Sequence, residues 1–352
     1  MALSKTQRVT LTKIRAAGNS KLDEELDDAV CSYLLAIAVR DLGVRSHFPE
    51  IPGAVDPFFT KGLVSDLRLE KIEFLPLYER FLGIHKDGEA YFTCLAKLHK
   101  SRLKYERILR HQPLPTFEHV GPRGLLQYGS LTPEALAGLL YWRKWLFDLD
   151  NRAGQETGYL FEPIIAHAIG GVPFGAKKSP IRRIGRDGGR QVDAICDETR
   201  LAYEFKVRVT MASSGQGRWA EELSFPKEAR QSGFTPVLVV LDPTENDKLK
   251  ELSEAFSDAN GLVFTGDDAW KHLKDQAGDI MSKFIDLYVE GPLQKLLEEA
   301  PEKLPSLLVA LDHESKNIRI TVGGEALDIE REPIPELGEG EDEMPEDVDE
   351  EL

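Results

Sequence analysis

Two short segments around residue 198 constrain the fold of this 352-residue chain most strongly. Residues 191–196 and 201–210 carry alternating apolar side chains, and the polar run 197–200 between them is typical of a tight turn. If the turn is symmetric, residues whose numbers sum to 397 face each other across an antiparallel pair. The apolar pairs on one side are then Cys196 with Leu201, Ala194 with Tyr203, and Val192 with Phe205. The pattern predicts a β-hairpin with one buried face.

The other side of this hairpin carries two acids and a lysine. Asp193 faces Glu204, and like charges on directly opposed residues, whose Cβ atoms lie about 4.5–5.5 Å apart, destabilise a strand pair. A cation would compensate them, and a small cluster of oxygen ligands suits Mg²⁺, which also accepts phosphate oxygens. Lys206 emerges on the same side, where its ammonium can orient a water or stabilise developing charge. The set favours phosphodiester hydrolysis, and the alternative is a surface hairpin decorated with charge.

The remaining periodicity predicts an α/β protein. Residues 1–150 are expected to be mostly helical, with helices at 22–41, 67–82, 89–110 and 133–148. Beyond them we predict helices at 158–169, 225–231, 247–258 and 267–289, and strands at 236–241 and 262–265. Strands that alternate with helices indicate a core with a parallel strand pair. The predicted units are a helical N-terminal region (1–150), the core (151–295), a small module with a hairpin around Gly323 (296–330) and an acidic tail (331–352).

Asp193, ten intervening residues and then Glu204-Phe205-Lys206 resemble the signature of PD-(D/E)XK nucleases. The resemblance implies the αβββαβ core of that superfamily, a mixed sheet flanked by helices. It also implies an acid from the helix before the hairpin, and Glu162 is the matching position, with Glu156 as its rival.

On this interpretation Asp193, Glu204 and the carbonyl of Phe205 hold Mg²⁺. Glu162 assists, and Lys206 positions the water. One departure from the signature is Val192, which precedes the first acid where the signature has proline.

Two flanking segments, residues 182–190 and 210–219, are similar to ApaLI-type restriction endonucleases. That resemblance implies a type II enzyme that cuts double-stranded DNA at a short palindrome and leaves 5′-phosphate and 3′-hydroxyl ends. A palindrome is naturally read by a two-fold dimer, so we expect a homodimer. The alternatives are another nuclease on the same core, such as an antiphage effector or a structure-specific repair nuclease, and a non-catalytic DNA-binding protein.

These flanking segments also contain the side chains expected to contact DNA. They are Arg182, Arg183, Arg186, Arg190, Ser213, Gln216 and Arg218. Arginine is the preferred bidentate partner of guanine, and the glycines at 185, 188 and 189 make the first segment poorly suited to packing. The second segment is equally consistent with an ordinary surface connection, and Trp219 is expected in the core. The predicted helix at 89–110 carries a basic run that fits either a solvated face or a phosphate-contacting surface.

Charge and composition limit the remaining function classes. The net charge is −16, but residues 330–352 hold twelve acids and one base and so supply −11 of it. Such a tail either solubilises the protein or mimics DNA in a basic cleft. Three widely spaced cysteines support neither a zinc site nor a disulfide framework. No apolar run is long enough for a bilayer, and none follows the N-terminal charges, so we expect a cytoplasmic protein without a membrane partner.

Overall fold

The computed structural model describes residues 2–333 except 19, 61, 86, 186, 207–215, 243 and 313, and leaves undescribed the side chains of 119–121, 123, 155–161 and 216–218. The N-terminal helices are α1 (Lys5–Arg15), α2 (Asp28–Asp41), α3 (Phe74–Ile84), α4 (Gly88–His111), α5 (Phe117–Gly124) and α6 (Pro133–Ala168). The later helices are α7 (Gln216–Gln231), α8 (Asp247–Asp258), α9 (Asp267–Ile285) and α10 (Gly291–Glu298). Short 3-10 turns lie at Arg45–His47 and Val64–Asp66, and a π-helical turn at Asp286–Glu290 joins α9 to α10.

A five-stranded mixed sheet forms the centre of the molecule. Its strands are β1 (Val172–Phe174), β2 (Val192–Cys196), β3 (Leu201–Lys206), β4 (Thr235–Val240) and β5 (Leu262–Thr265), and their spatial order follows the chain. The first three strands are antiparallel, whereas β3, β4 and β5 run parallel. The order helix, three strands, helix, strand agrees with the mixed α/β core that the sequence predicts.

Helices cover both faces of this sheet. On one face Tyr203 and Phe205 of β3 join a large apolar cluster with side chains of α2, α3, α4, α6 and α9. On the other face Ala202 joins a second cluster built largely from α7 and α8. Neighbouring residues of β4 divide in the same way, with Val239 in the first cluster and Leu238 in the second. Burial on both faces explains why β4 is apolar along its length.

The N-terminal helices and the sheet share one apolar core. The first cluster runs from Leu3 through α4 to the sheet and on to Met281 in α9. Polar contacts reinforce this packing, since the side-chain carboxylate of Asp41 in α2 accepts hydrogen bonds from Tyr91 in α4 and Tyr288 in the π-helical turn. The predicted boundary at residue 150 falls inside α6, so it marks a change in element type within continuous packing.

Helix α6 differs from its prediction, which placed separate helices at 133–148 and 158–169. Thr132 caps the amino end, where its side chain accepts from the N–H of Ala135, and Pro133 occupies the first turn. The polar stretch with Gly154 contains no stop signal beyond that glycine, which costs about 1 kcal/mol relative to alanine. Packing against α4 offsets that cost, and the helix continues for 36 residues.

Other elements also differ from the prediction: α7 begins at Gln216 and not at 225, and the sequence predicts neither α1 nor α10. Helix α8 and strand β5 have the predicted bounds, and the C-terminal hairpin forms around Gly323. The sequence predicts neither β1, which has three residues and includes Pro173, nor α5. The hairpin strands β7 (Ile318–Val322) and β8 (Glu325–Ile329) gain an unpredicted partner, β6 (Leu307–Leu311), which completes a three-stranded sheet. That sheet packs on α4 and α6 through Ile318 and Trp145.

The basic side chains of α4 are largely paired with groups of the protein itself. This differs from both expectations, a solvated face and a phosphate-contacting face. Lys104 pairs with Asp23 at 3.1 Å, and Arg107 pairs with Glu24 at 3.0 Å. Arg110 binds Glu106 at 2.8 Å as well as Glu332. Two further bases donate to backbone carbonyls. Lys100 donates to the carbonyl of Ala16, and Arg102 donates to the carbonyl of Phe58. The helix holds the N-terminal segment in place.

Two compositional expectations can be compared with the described residues. Cys31, Cys94 and Cys196 are all unpaired, and the first two are buried. Within the described ranges no helix is long and apolar enough to cross a membrane. The acidic tail from residue 334 onward lies outside the described residues.

Buried His99 in α4 predicts a pH-dependent stability. Its ring is fully buried, neither ring nitrogen has a hydrogen-bond partner among the described residues, and burial together with Arg102 and Arg68 lowers its pKa from 6.5 to about 4. Below pH 6.5 the imidazole of His99 therefore takes up a proton more readily in the unfolded chain than in the folded protein. One pKa unit corresponds to ~1.4 kcal/mol, so acidification towards pH 4 should cost the wild-type protein about 3 kcal/mol through this residue.

The variant His99→Phe should lose this pH-dependent part of the unfolding free energy. We expect its unfolding free energy to fall less steeply between pH 6.5 and 4, and its stability at pH 7.5 to be equal or higher because two unpaired polar atoms are removed. Urea unfolding at several pH values measures both quantities. Parallel pH profiles for wild type and variant would contradict the prediction.

Candidate active site

The predicted hairpin register is confirmed for the three pairs nearest the turn. Ala194 pairs with Tyr203, Ile195 with Ala202 and Cys196 with Leu201, so the numbers sum to 397. The turn closes with the N–H of Arg200 donating to the carbonyl of Asp197. Arg200 has a φ of +55°, and its guanidinium lies 3.7 Å from the ring centroid of Phe234. This contact ties the turn to the segment before β4.

The start of β2 departs from simple alternation. Val172 pairs with Ile195 but Phe174 pairs with Val192, so β2 carries one residue more than β1 over this stretch, as in a β-bulge. As a result Val192 packs in the second cluster, and the prediction that it shares a side with Ala194 is wrong. The bulge adjoins Asp193 and alters the direction in which the strand presents it.

The side chain of Asp193 is anchored to the neighbouring strand. Its Oδ2 accepts a hydrogen bond of 2.8 Å from the backbone N–H of Phe205. Burial, together with the carboxylates of Glu204 and Glu162, raises the pKa of Asp193 well above its ordinary value, although Lys206 and that hydrogen bond oppose the shift. Three of the predicted acids therefore act on one another in a poorly solvated place.

Lys206 is the cation within this group of acids. Its Nζ lies 2.7 Å from Oε1 of Glu204 and 3.7 Å from Oε1 of Glu222. Burial lowers the pKa of Lys206, but the carboxylates of Glu204, Asp193 and Glu222 outweigh it and hold the pKa above its ordinary value. The ammonium is thus charged at neutral pH, as a group that binds phosphate or orients water must be.

Glu162 lies near the carboxyl end of α6 and is half-buried. This helix packs against β1, β2 and β3, and Glu162 contributes to the raised pKa of Asp193. Its rival Glu156 has a side chain outside the described set. The structure therefore brings Glu162 within electrostatic reach of the hairpin acids.

The residues present suit a divalent cation. Asp193, Glu204 and Glu162 supply hard oxygen donors, and their mutual repulsion is what a bound cation would relieve. In the conformation described, no three Asp, Glu, His or Cys side chains of the described residues form a group able to hold a metal ion. One carboxylate oxygen of Glu204, Oε1, contacts the ammonium of Lys206, so a metal bound to this carboxylate would share its charge with the lysine.

Sequence reasoning missed Glu222, which lies on α7 beyond the undescribed residues 207–215. In the sequence it is one of two adjacent glutamates in a helix with little amphipathic pattern, so no local signal distinguishes it. Its place beside Lys206 follows only from the packing of α7 on the sheet.

The arginine segment 182–190 is more tightly built than its glycines suggest. A Cβ on Gly189 would lie 2.2 Å from the carbonyl oxygen of Ala176, so that glycine is required by close packing. Arg183 donates to the carbonyl of Gly189 and pairs with Glu221 of α7 at 2.8 Å. The expectation that this segment is poorly suited to packing is therefore wrong.

The predicted DNA-contacting residues have different surroundings. Arg182 is exposed, whereas Arg190 is buried, pairs with Glu228 at 3.3 Å and lies against the ring of Phe225. Those contacts indicate a structural role for Arg190. Trp219 packs against the second cluster and donates to Glu251, in agreement with its expected place in the core.

The other four predicted DNA-contacting residues have no described side chains. Arg186 and Ser213 are outside the described residues. Gln216 and Arg218 lie in the first turn of α7, but their side chains are not described.

The acid group predicts an unusual response to removal of a charge. Because the pKa of Asp193 is raised, the folded protein holds that proton to higher pH than the unfolded chain, so stability falls as pH rises from about 3.9 through the folded-state pKa. We expect metal-free Asp193→Asn to unfold at a higher urea concentration than wild type at pH 7.5, and the difference to shrink towards pH 4. A variant less stable than wild type at pH 7.5 would contradict this account.

Known proteins give an independent comparison. The family described as ApaLI-like restriction endonuclease matches residues 68–290. The type II restriction enzyme ApaLI of Acetobacter pasteurianus is 44% identical over 279 residues, which cover 76% of this chain and 74% of that enzyme. No solved structure matches the chain. The family match spans α3 to the π-helical turn and includes the hairpin, so the chain belongs to the ApaLI-like restriction endonuclease family.

Proposed function

We propose that this restriction endonuclease is a type II enzyme that hydrolyses double-stranded DNA at a short palindromic site with Mg²⁺ as cofactor. One observation carries the proposal: Asp193, held by the N–H of Phe205, lies within electrostatic reach of Glu204 and Glu162, and Glu204 contacts the ammonium of Lys206 at 2.7 Å. The family and the ApaLI relative support DNA as the substrate. The cytoplasm is the proposed place of action, because incoming DNA is met there.

The proposed roles follow from the chemistry of each group. Asp193, Glu204 and the carbonyl of Phe205 would hold Mg²⁺ with help from Glu162. When bound, the ion would polarise the scissile phosphate and lower the pKa of a coordinated water. The ammonium of Lys206 positions the water and stabilises negative charge that develops on the phosphate. The products would carry 5′-phosphate and 3′-hydroxyl ends.

A homodimer is the proposed assembly, because two copies related by a two-fold axis present the same residues to both halves of a palindrome. Exposed Arg182 is the described side chain most available to DNA. Arg183 can also serve if a phosphate displaces Glu221 from it. We propose that Arg186, Ser213, Gln216 and Arg218, which flank these groups in sequence, complete the contact surface.

Digestion of a sequenced plasmid tests the proposed function. We expect discrete fragments with Mg²⁺ and none with excess EDTA, and sequencing of the ends should return one palindromic site cut symmetrically in both strands. Lys206→Ala should lower the single-turnover cleavage rate by about 10³-fold, since charge stabilisation in such sites contributes on that order. Smears, or cutting confined to branched substrates, would support another nuclease class, and unchanged cleavage by Lys206→Ala would refute the assigned role.

A pair of arginine variants tests the DNA-contacting surface. Arg182→Ala should weaken DNA binding and reduce the salt dependence of log K by about one phosphate contact, without loss of stability. Arg190→Ala should instead destabilise the fold by about 3 kcal/mol, because buried Glu228 loses its cation and keeps only the hydrogen bond from the N–H of Ile184. Fluorescence anisotropy across a salt series and urea unfolding separate the two effects. An Arg182→Ala protein with wild-type affinity and salt slope would remove Arg182 from the surface.

A further inference from the structure

Helix α7 places a third carboxylate, after those of Glu204 and Asp193, near the proposed catalytic lysine. Oε1 of Glu222 lies 3.7 Å from Nζ of Lys206, on the side of the sheet that α7 covers. The side chains of Glu222 and Lys206 are only 15% and 20% exposed, so water screens this pair much less than a surface pair. None of the roles assigned above uses Glu222.

The position of Glu222 is fixed by contacts on other sides of its helix. Glu221 binds Arg183, and Glu228 with Ser224 holds Arg190. The ring of Phe225 is fully buried in the second cluster. These contacts tie α7 to the arginine segment and to the core, so the helix presents Glu222 to the site from a rigid support.

Glu204 cannot serve two cations equally. Its Oε1 forms the 2.7 Å contact with the ammonium of Lys206, yet the same carboxylate is a proposed metal ligand. A metal bound to Glu204 would draw on the same negative charge and weaken the contact between that carboxylate and the ammonium. A second carboxylate within reach would keep the ammonium in place at that moment, and Glu222 has the necessary position.

We propose that Glu222 is the positioning residue of Lys206, which holds the ammonium towards the reacting phosphate when Glu204 engages the metal. The proposal rests on the proposed function, because it assigns Glu222 a task only if Lys206 takes part in cleavage. Glu222 acts through Lys206 and touches neither the metal nor the phosphate. Its loss should therefore reduce turnover while leaving metal and DNA affinity largely intact.

Two substitutions measure this role. Glu222→Gln keeps an acceptor oxygen but loses the charge, and Glu222→Ala loses both. We expect kcat to fall about 10-fold for Gln and about 100-fold for Ala with KM within about threefold of wild type, the pattern of an interaction that matters in the transition state. Glu254→Gln on α8, an exposed acid-to-amide change, is the matched control and should keep wild-type kcat.

Calcium binding, measured by titration calorimetry without turnover, separates positioning from ligation. A residue that positions only Lys206 should leave the Ca²⁺ Kd within about 10-fold of wild type, whereas loss of a direct ligand should weaken it by more than that. Weakening of that larger size in Glu222→Gln, or a wild-type kcat in both variants, would overturn the proposal. Circular dichroism checks folding, and if Glu222→Ala does not fold, Glu222→Gln decides the matter.

Failure of the inference and failure of the proposed function give different results. If Lys206→Ala in the same assay cleaves like wild type, the proposed role of the lysine is wrong and Glu222 has nothing to position. If Lys206→Ala is inactive while Glu222→Gln and Glu222→Ala both keep wild-type kcat, only the inference about Glu222 fails.

Discussion

The energetics of the site depend on one acid whose ionisation its surroundings oppose. Asp193 sits where solvent stabilises it poorly, with two further carboxylates close enough to oppose its ionisation. A hydrogen bond from the backbone of Phe205 and the charge of Lys206 offset only part of that cost. Folding alone would not favour such a cluster, because burial of like charges is unfavourable. Carboxyl groups with strongly shifted pKa values are typical of functional sites, and the proposed function gives this cluster such a role.

The rest of the fold serves to hold that cluster together. Strand β3 supplies Glu204 and Lys206, and it is central in the sheet, with β2 and β4 hydrogen-bonded on its two sides. Apolar packing on both faces holds it in place. The bulge in β2 adjoins Asp193 and alters the direction in which that strand presents the acid.

Helix α7 connects the centre of the site to its rim. It carries Glu222 beside the lysine, while Glu221 and Glu228 anchor the arginine segment that precedes β2. If a DNA phosphate displaced Glu221 from Arg183, it would therefore break a contact of the same helix that carries Glu222. Helix α4 has a different task, because its bases Lys104 and Arg107 pair with acids of the N-terminal segment.

The sequence by itself determined the hairpin register, the bounds of α8 and β5, and the closeness of Asp193 to Glu204 and Lys206. These features are set by local alternation and by turns, which adjacent residues encode directly. Only the tertiary structure decided that α6 is continuous, that Val192 changes side at a bulge, that Arg190 is buried and that Glu222 meets Lys206. Each of these features depends on a partner distant in the chain. Periodicity indicates which face of an element is apolar, but it does not indicate which side chain of another element will lie against that face.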